Sequence, residues 1–161
     1  MSQTRVGVGY DSHRFGKGGP MRLGGIDIPS GVHCAGHSDG DAICHAVTDA
    51  LLGAAALGDI GEMFPDTDAA NKGKDSIVML RAAHARLEAA GYIVGNVDVT
   101  VVTQLPKIGT HRSAIRQRLA ETLGVSVEQV FVKGKTNEGM GWIGKGEGLA
   151  VVAVATVSRP S

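Results

Sequence analysis

The sequence predicts an α/β chain of the two-layer kind: an α+β sandwich in which a mixed four- to five-stranded sheet carries three helices on one face. Three observations predict it. Alternating valines such as Val97, Val99 and Val101 mark strands of period two. Three segments with apolar residues at three and four spacing, each closed by a glycine, mark helices. The run LAVVAVATV, Leu149–Val157, has no charge and hardly a polar group, so it needs cover on both faces. Helices supply one cover. A loop or a second copy of the chain would supply the other, and the second of these, a closed homo-oligomer, is the expectation.

Taken in order, Arg5–Val8 reads as a strand running into GYDSHRF, Gly9–Phe15. In extended backbone Asp11 and His13 share a face with Gly7 and Gly9, and Val6, Val8 and Tyr10 face the other way as packing material. Arg22–Pro29 reads as a short strand or hairpin arm closed by Pro29-Ser30-Gly31. From Ser38 to Leu57 the period becomes helical, with Ser38 and Asp41 as a capping box and Gly58 as the stop. A loop, Asp59–Lys74, precedes a helix over Ser76–Ala90 that Gly91 ends. A strand closes near Gln104, a third helix covers Thr110–Leu123 before Gly124, and Val130–Thr136 is a strand. A glycine-rich loop then leads into the last strand.

Length and charge narrow the function. At 161 residues one domain, 1–161, is expected. Sixteen basic and sixteen acidic side chains cancel, and no basic cluster is interleaved with aromatics, which argues against nucleic acid. The first residues, Met-Ser-Gln-Thr-Arg, hold no apolar signal core, and no segment has the length of a membrane span. Cys34 and Cys44 lack zinc-knuckle or redox spacing and read as small buried apolar residues, so the expected location is the cytoplasm.

The chemistry concentrates in two places. Asp41, His45 and Asp49 form an i, i+4, i+8 polar stripe on an otherwise apolar helix, and a buried polar stripe must be paired. Asp11, His13 and His45 together offer a carboxylate and two imidazoles, a set that suits zinc or a similar divalent ion and leaves a position for substrate. Asp41 or Asp49 would orient the His45 ring. Taken singly, each histidine fits a structural or solvated role equally well, and His33, His84 and His111 read as ordinary surface or loop residues. The second place is Lys133, Lys135, Thr136, Asn137 and Glu138 followed by five glycines up to Gly148: cations, a hydroxyl and free N–H groups for phosphate, and a carboxylate for magnesium. A charged hairpin loop is the plainer reading of the same residues. Gly139–Gly144 matches G-x-G-x-x-G, but a β-type run follows it, which excludes a dinucleotide fingerprint. The loops Asp59–Asp68 and Thr103–Gly109 fit either ligand contact or turn chemistry. On residues alone, a hydrolase using the triad to activate water and a non-catalytic binding module are rivals to a phosphate-transferring enzyme.

GYDSHRF, AGHSDGDAICHAVTDALLGAAALGDIGEMFPDTD, NVDVTVV with QLPKIG, and KTNEGMGWIGKGEG, in this order, resemble the 2-C-methyl-D-erythritol 2,4-cyclodiphosphate synthase family of the non-mevalonate isoprenoid pathway. The resemblance implies a homotrimer with active sites between subunits. It implies that Asp11, His13 and His45 bind zinc, and that Glu138 holds magnesium or manganese between the substrate phosphates. It implies cyclisation of 4-diphosphocytidyl-2-C-methyl-D-erythritol 2-phosphate with release of CMP, His37 and Thr136 stabilising the transition state. Ser38 would stand beside His37 at the helix N-terminus, where anions are favoured, and Asp59, Ile60, Gly61, Phe64, Pro65, Asp66, Thr67 and Asp68 would hold the methylerythritol part. Thr103, Gln104, Leu105, Pro106, Lys107, Ile108, Gly109, Lys135 and Asn137 would hold the cytidine diphosphate part. Trp142 stands where phenylalanine is common, and Lys145 where an arginine faces the trimer axis and an isoprenoid diphosphate can bind. A lysine there offers a point charge in place of a planar fork.

Overall fold

The computed structural model describes residues 2–160. Strand β1, Gln3–Lys17, pairs antiparallel with β7, Gly148–Arg159, along nearly its whole length. On its other side it takes up the short β4, Val32–Cys34. Strand β5, Ile93–Val102, lies antiparallel to β7, and β6, Val130–Lys135, lies parallel to β5. The result is one mixed five-stranded sheet, in the order β4-β1-β7-β5-β6, within the range predicted. Arg22–Pro29 is resolved into a separate hairpin, β2 (Met21–Leu23) and β3 (Ile26–Ile28), turning on Gly24-Gly25.

One face of the sheet carries the helices: α1 (Ala42–Ala55) on β1 and β7, α4 (Ile108–Leu123) on β6, and α3 (Ser76–Ala89) laid against α1 and α4. The short helix α2, Ile60–Met63, and a 3₁₀ turn, Ala69–Asn71, interrupt what the sequence suggested was a plain loop from Asp59 to Lys74. A last short helix, α5 (Gly141–Gly144), sits inside the glycine-rich loop, where no helix was expected.

The two faces of β1 are used in the opposite sense to the sequence reading. The bare glycine face is the packed one, and Val6, Val8 and Tyr10 are exposed at 63%, 64% and 58%. Gly7 and Gly9 pair with Ala155 and Ala153, and a Cβ at either glycine would collide with the backbone of α1 at Ala50 or Ala46. This absence of side chains lets α1 lie directly on the strand, which carries His45 next to Asp11.

Helix α1 also starts later than predicted. Asp41, not Ser38, is its N-cap, accepting from Cys44 N–H at 3.0 Å. The same buried carboxylate accepts from Gly24 N–H at 2.8 Å and Gly25 N–H at 2.7 Å, so there is no Ser38–Asp41 capping box. The hairpin turn can present both N–H groups because Gly24 and Gly25 adopt φ of +60° and +74°. The helix ends at Ala56 in the left-handed region rather than at Gly58, and α4 begins at Ile108, which moves Ile108 and Gly109 from loop to helix.

β6 is an edge strand, and α4 closes its edge. Arg112 Nε donates to the Val132 carbonyl at 2.7 Å and Arg116 Nε to the Val130 carbonyl at 2.6 Å. Their guanidinium carbons lie 5.3 and 5.2 Å from the centre of the Phe131 ring. Outward-facing carbonyls that would otherwise pair with another strand are thereby satisfied within the chain.

Candidate active site

β1 delivers Asp11 and His13, and α1 delivers His45, to one point at the end of the sheet. Their ligand atoms lie within 4.8 Å of one another, the one such group of three or more metal-capable side chains among the described residues. His13 Nε2 is 2.7 Å and His45 Nδ1 3.0 Å from the same oxygen, Asp11 Oδ2. The far nitrogen of His13, Nδ1, is 2.8 Å from the Ala35 carbonyl, which can only accept, so Nδ1 carries a proton and, in the neutral ring, Nε2 turns a lone pair inward. Lone pairs converging on a carboxylate oxygen need a proton or a cation among them. The set therefore fits a divalent ion of the zinc type.

Ionisation follows the same geometry. Burial pushes the Asp11 carboxyl up, but hydrogen bonds and charges from His13 and His45 outweigh it and hold it below its ordinary value. Burial pulls the His13 imidazole down, yet the bond to Asp11, its charge and the Ala35 carbonyl hold it above its ordinary value. The Asp49 carboxyl is raised, chiefly by burial, against the opposing hydrogen bond from Ile60 N–H.

The sequence assigned the orientation of His45 to Asp41 or Asp49. The structure gives both other partners: Asp41 caps α1, and Asp49 accepts from Ile60 N–H at 2.8 Å, tying α1 to α2. His45 Nε2 instead meets Ser76 Oγ at 2.7 Å and Ser38 Oγ at 3.0 Å. Ser76 begins a helix 31 residues further on, and no local spacing announces that contact.

A cavity of about 270 Å³ opens over the triad. Of the residues singled out from sequence, His37, Ser38, Ile60, Gly61, Phe64 and Asp66 line it, and Asn71 and Met79 join them unpredicted. His37 Nδ1 stands 3.7 Å from Asp66 Oδ1. Asp59, Pro65, Thr67 and Asp68 are outside the lining. Asp59 and Asp68 cap the turns that shape the loop, accepting from Glu62 N–H at 2.8 Å and Ala70 N–H at 2.9 Å. Pro65 offers its carbonyl to Asn71 Nδ2 at 2.9 Å.

A second cavity, about 290 Å³, lies where the ends of β5 and β6 meet the start of α4. Thr103, Gln104, Pro106, Lys107, Ile108, Gly109, Lys135 and Thr136 line it, together with Arg112 and Gly134. Gln104 Oε1 accepts from Asn137 N–H at 2.9 Å and so ties the two loops together. Leu105 is exposed at 66% outside the lining. The two cavities share no lining residue, and Glu138 is not among the residues gathered at the triad. Trp142 belongs to neither; it borders a small hollow with Ser12, His13 and Glu147, and Lys145 is exposed at the end of α5. Both cysteines are buried as expected: burial, with the nearby Asp41 and Asp11 charges, pushes the Cys34 thiol up to about 12, and Cys44 is raised as well.

Fold and site together define an α+β domain with an Asp-His-His candidate cation centre beside one cavity and a lysine-lined second cavity. No described helix is long and apolar enough to cross a membrane. Comparison with known proteins makes the class particular. The model of the YgbB family matches residues 4–158, and the chain belongs to that family. It is 79% identical over 153 residues to the 2-C-methyl-D-erythritol 2,4-cyclodiphosphate synthase of Gemmatimonas aurantiaca, covering 95% of this chain and 92% of the relative. It is 54% identical over 155 residues to the synthase of Methylococcus capsulatus, covering 96% and 98%. Among solved structures, a 2C-methyl-D-erythritol-2,4-cyclodiphosphate synthase with CDP bound superposes with a TM-score of 0.86 at 40% identity, over 94% of this chain and 98% of that one. The bifunctional IspDF of Campylobacter jejuni gives 0.96 at 37% identity, over the whole of this chain and 44% of that one.

Proposed function

We propose that the chain, as one domain over 1–161, carries out the lyase chemistry of its family at the Asp11–His13–His45 centre. The substrate is 4-diphosphocytidyl-2-C-methyl-D-erythritol 2-phosphate. An oxygen of its 2-phosphate attacks its own β-phosphorus, a new P–O bond forms, the bond from that phosphorus to the bridging oxygen breaks, and CMP leaves with that oxygen. The observation that carries the reading is the convergence of three lone-pair donors on one point at the floor of the first cavity. Asp11, His13 and His45 would hold a zinc-type ion there, and that ion would supply Lewis-acid polarisation of a phosphoryl oxygen.

An intramolecular displacement needs no protein nucleophile, only a folded substrate and neutralised charge. His37 and Ser38, which line the cavity over the triad, and Thr136, in the second cavity, would stabilise crowded phosphate oxygens. Ile60, Gly61, Phe64 and Asp66 hold the methylerythritol part, with Asp59, Pro65, Thr67 and Asp68 shaping their loop. The Thr103–Gly109 segment, Lys135 and Asn137 hold the cytidine diphosphate part. Glu138, exposed and left-handed at φ +53°, is assigned to a magnesium or manganese ion between the phosphates. CDP in the related synthase structure supports a cytidine diphosphate ligand, and the lysines of the second cavity suit its phosphates.

Two observations support a homotrimer with sites between subunits. The cavities that must cooperate share no residue within one chain. The sheet face opposite the helices exposes Val6, Val8, Tyr10, Phe131, Val152 and Val154, a surface fit for neighbouring copies. An isoprenoid diphosphate on the trimer axis would meet Lys145, and Trp142 is assigned to the substrate-binding residues. The cytoplasm is the proposed location, and the free, buried Cys34 and Cys44 suit a reducing compartment.

Phosphorus NMR of the cytidyl substrate with zinc- and magnesium-loaded protein tests the reading. A cyclic diphosphate and free CMP are expected, with both lost on chelation and in Asp11→Asn. A linear product carrying oxygen from labelled water would replace cyclisation with hydrolysis.

A further inference from the structure

We propose that Asp39 and Ser76 act as a positioning pair, fixing the His45 ring with its proton on Nε2 and its Nδ1 lone pair turned toward the candidate cation centre. Neither residue stands out in the sequence, and they come from different segments, Asp39 from the loop before α1 and Ser76 from the first turn of α3.

The direction of each hydrogen bond can be worked out from what its groups are able to do. An ionised carboxylate only accepts. Asp39 Oδ2 accepts from Ser76 N–H at 2.8 Å, and Oδ1 accepts from Asp41 N–H at 3.1 Å and from the Ser76 hydroxyl. The single hydroxyl proton of Ser76 is therefore committed to Asp39. What Ser76 Oγ has left for His45 Nε2, 2.7 Å away, is a lone pair, so the Nε2 side must be N–H. With Nε2 protonated, neutral His45 presents Nδ1 as a lone pair, and Nδ1 is the atom 3.0 Å from Asp11 Oδ2. Ser38 Oγ also approaches Nε2, at 3.0 Å, but no carboxylate engages its hydroxyl among the described residues, so it accepts or donates as required and selects nothing.

Burial gives the selection its force. Ser76 is fully buried and His45 is 9% exposed, so water cannot stand in for the missing acceptor. The chain Asp39–Ser76–His45 has the logic of the carboxylate partners that orient metal-binding imidazoles elsewhere, with a serine hydroxyl passing on the polarity of the carboxylate. The arrangement also explains why Ser76 anchors to Asp39 through both its N–H and its hydroxyl: the start of α3 is held in register with the loop preceding α1.

This inference rests on the reading of the triad as a cation centre, and the experiment separates the two. Zinc affinity is measured by competition with a chromophoric chelator, and the His45 tautomer by long-range ¹H–¹⁵N correlation on zinc-loaded protein. Ser76→Ala and Asp39→Asn are each expected to weaken zinc binding about 10–100-fold and to shift the His45 nitrogen pattern. Ser76→Thr, which keeps the hydroxyl, is expected to stay within about threefold of the parent and to keep the Nε2–H pattern. Thermal unfolding of the chelator-treated proteins identifies a variant that has lost its fold, and the Asp39→Asn readings then stand in for those of Ser76→Ala. Unchanged zinc affinity and nitrogen shifts in folded Ser76→Ala or Asp39→Asn protein would overturn the pair, as would Ser38→Ala reproducing their loss. A parent protein that binds no zinc would instead remove the centre on which the pair acts.

Discussion

Gly9→Ala tests whether the bare face of β1 places the site. Its Cβ would point into α1, with Ala46 O, Ala46 C and Ala50 N as the nearest atoms, all of them backbone. No side-chain rotamer can relieve such a contact, so helix and strand must separate by about 1.5 Å to regain ordinary van der Waals distance. Overpacking of a core commonly costs 1–3 kcal/mol, and a clash with helix backbone belongs at the upper end, about 3 kcal/mol or more. For a chain of this size that is a fall of roughly 6–12 °C in Tm. The same displacement acts on function, because His45 is on the displaced helix, one residue before Ala46, and Asp11 is on the strand, two residues after Gly9. His45 Nδ1 and Asp11 Oδ2, now 3.0 Å apart, would no longer converge on one cation. Urea unfolding at fixed protomer concentration and zinc competition on the same samples measure both effects. A loss below about 1 kcal/mol would refute the close-packing argument. A full loss of stability with unaltered zinc affinity would refute the link from glycine to site.

Three further outcomes are expected. In metal-free protein, His13 lies above its ordinary 6.5, so its stabilising contribution is complete below 6.5 and is lost as pH rises through the raised value. Asp11 lies below its ordinary 3.8, so its contribution is complete above 3.8 and is lost as pH falls through the lowered value. Urea unfolding of chelator-treated protein should therefore show stability declining above pH 6.5, and His13→Gln should flatten that decline; an equal slope in both proteins would contradict it. Arg116→Met keeps the aliphatic stem but frees the carbonyl of Val130 and leaves that of Val127 only its Val130 N–H donor, an expected loss of about 1–2 kcal/mol with new concentration-dependent association in light scattering. An unchanged protein would mean that the edge needs no cover. Cys34 and Cys44 should resist a thiol reagent at pH 8 in the native state and titrate fully in urea, because burial pushes the Cys34 thiol up to about 12 and raises Cys44 too. Rapid native labelling would show that the loop over Cys34 opens.

Regular elements were legible wherever period and punctuation agreed. The valine alternation of β5, the glycine stops after α3 and α4, and the charge-free run Leu149–Val157 of β7 all lie where the sequence indicated. The misreadings share a cause: they concern what a residue meets far along the chain. Asp41 and Ser38 look alike as N-caps in the sequence. Only the Gly24-Gly25 turn, arriving from outside the helix, commits Asp41 to three backbone N–H groups and leaves Ser38 to His45. The glycines of β1 were readable as a bare face, but not as the face a helix would occupy, since exposure of Val6, Val8 and Tyr10 in one chain depends on what covers them in the assembly.

The site divides along the same line. Asp11 and His13 share a strand face by geometry alone, so their pairing was predictable, and His45 followed because a buried polar stripe needs partners. Asp39, Ser76 and Arg112 were not, because each acquires its role through a contact spanning 20 to 37 residues. Arg112 shows how such a role arises. Its Nε is held by the Val132 carbonyl, its guanidinium lies over Phe131, and the same side chain also lines the second cavity. A residue that closes the sheet edge is thereby held beside the cavity proposed to take the cytidine diphosphate part. Its cationic group is pre-oriented by the fold, so less side-chain entropy is lost when an anion binds there.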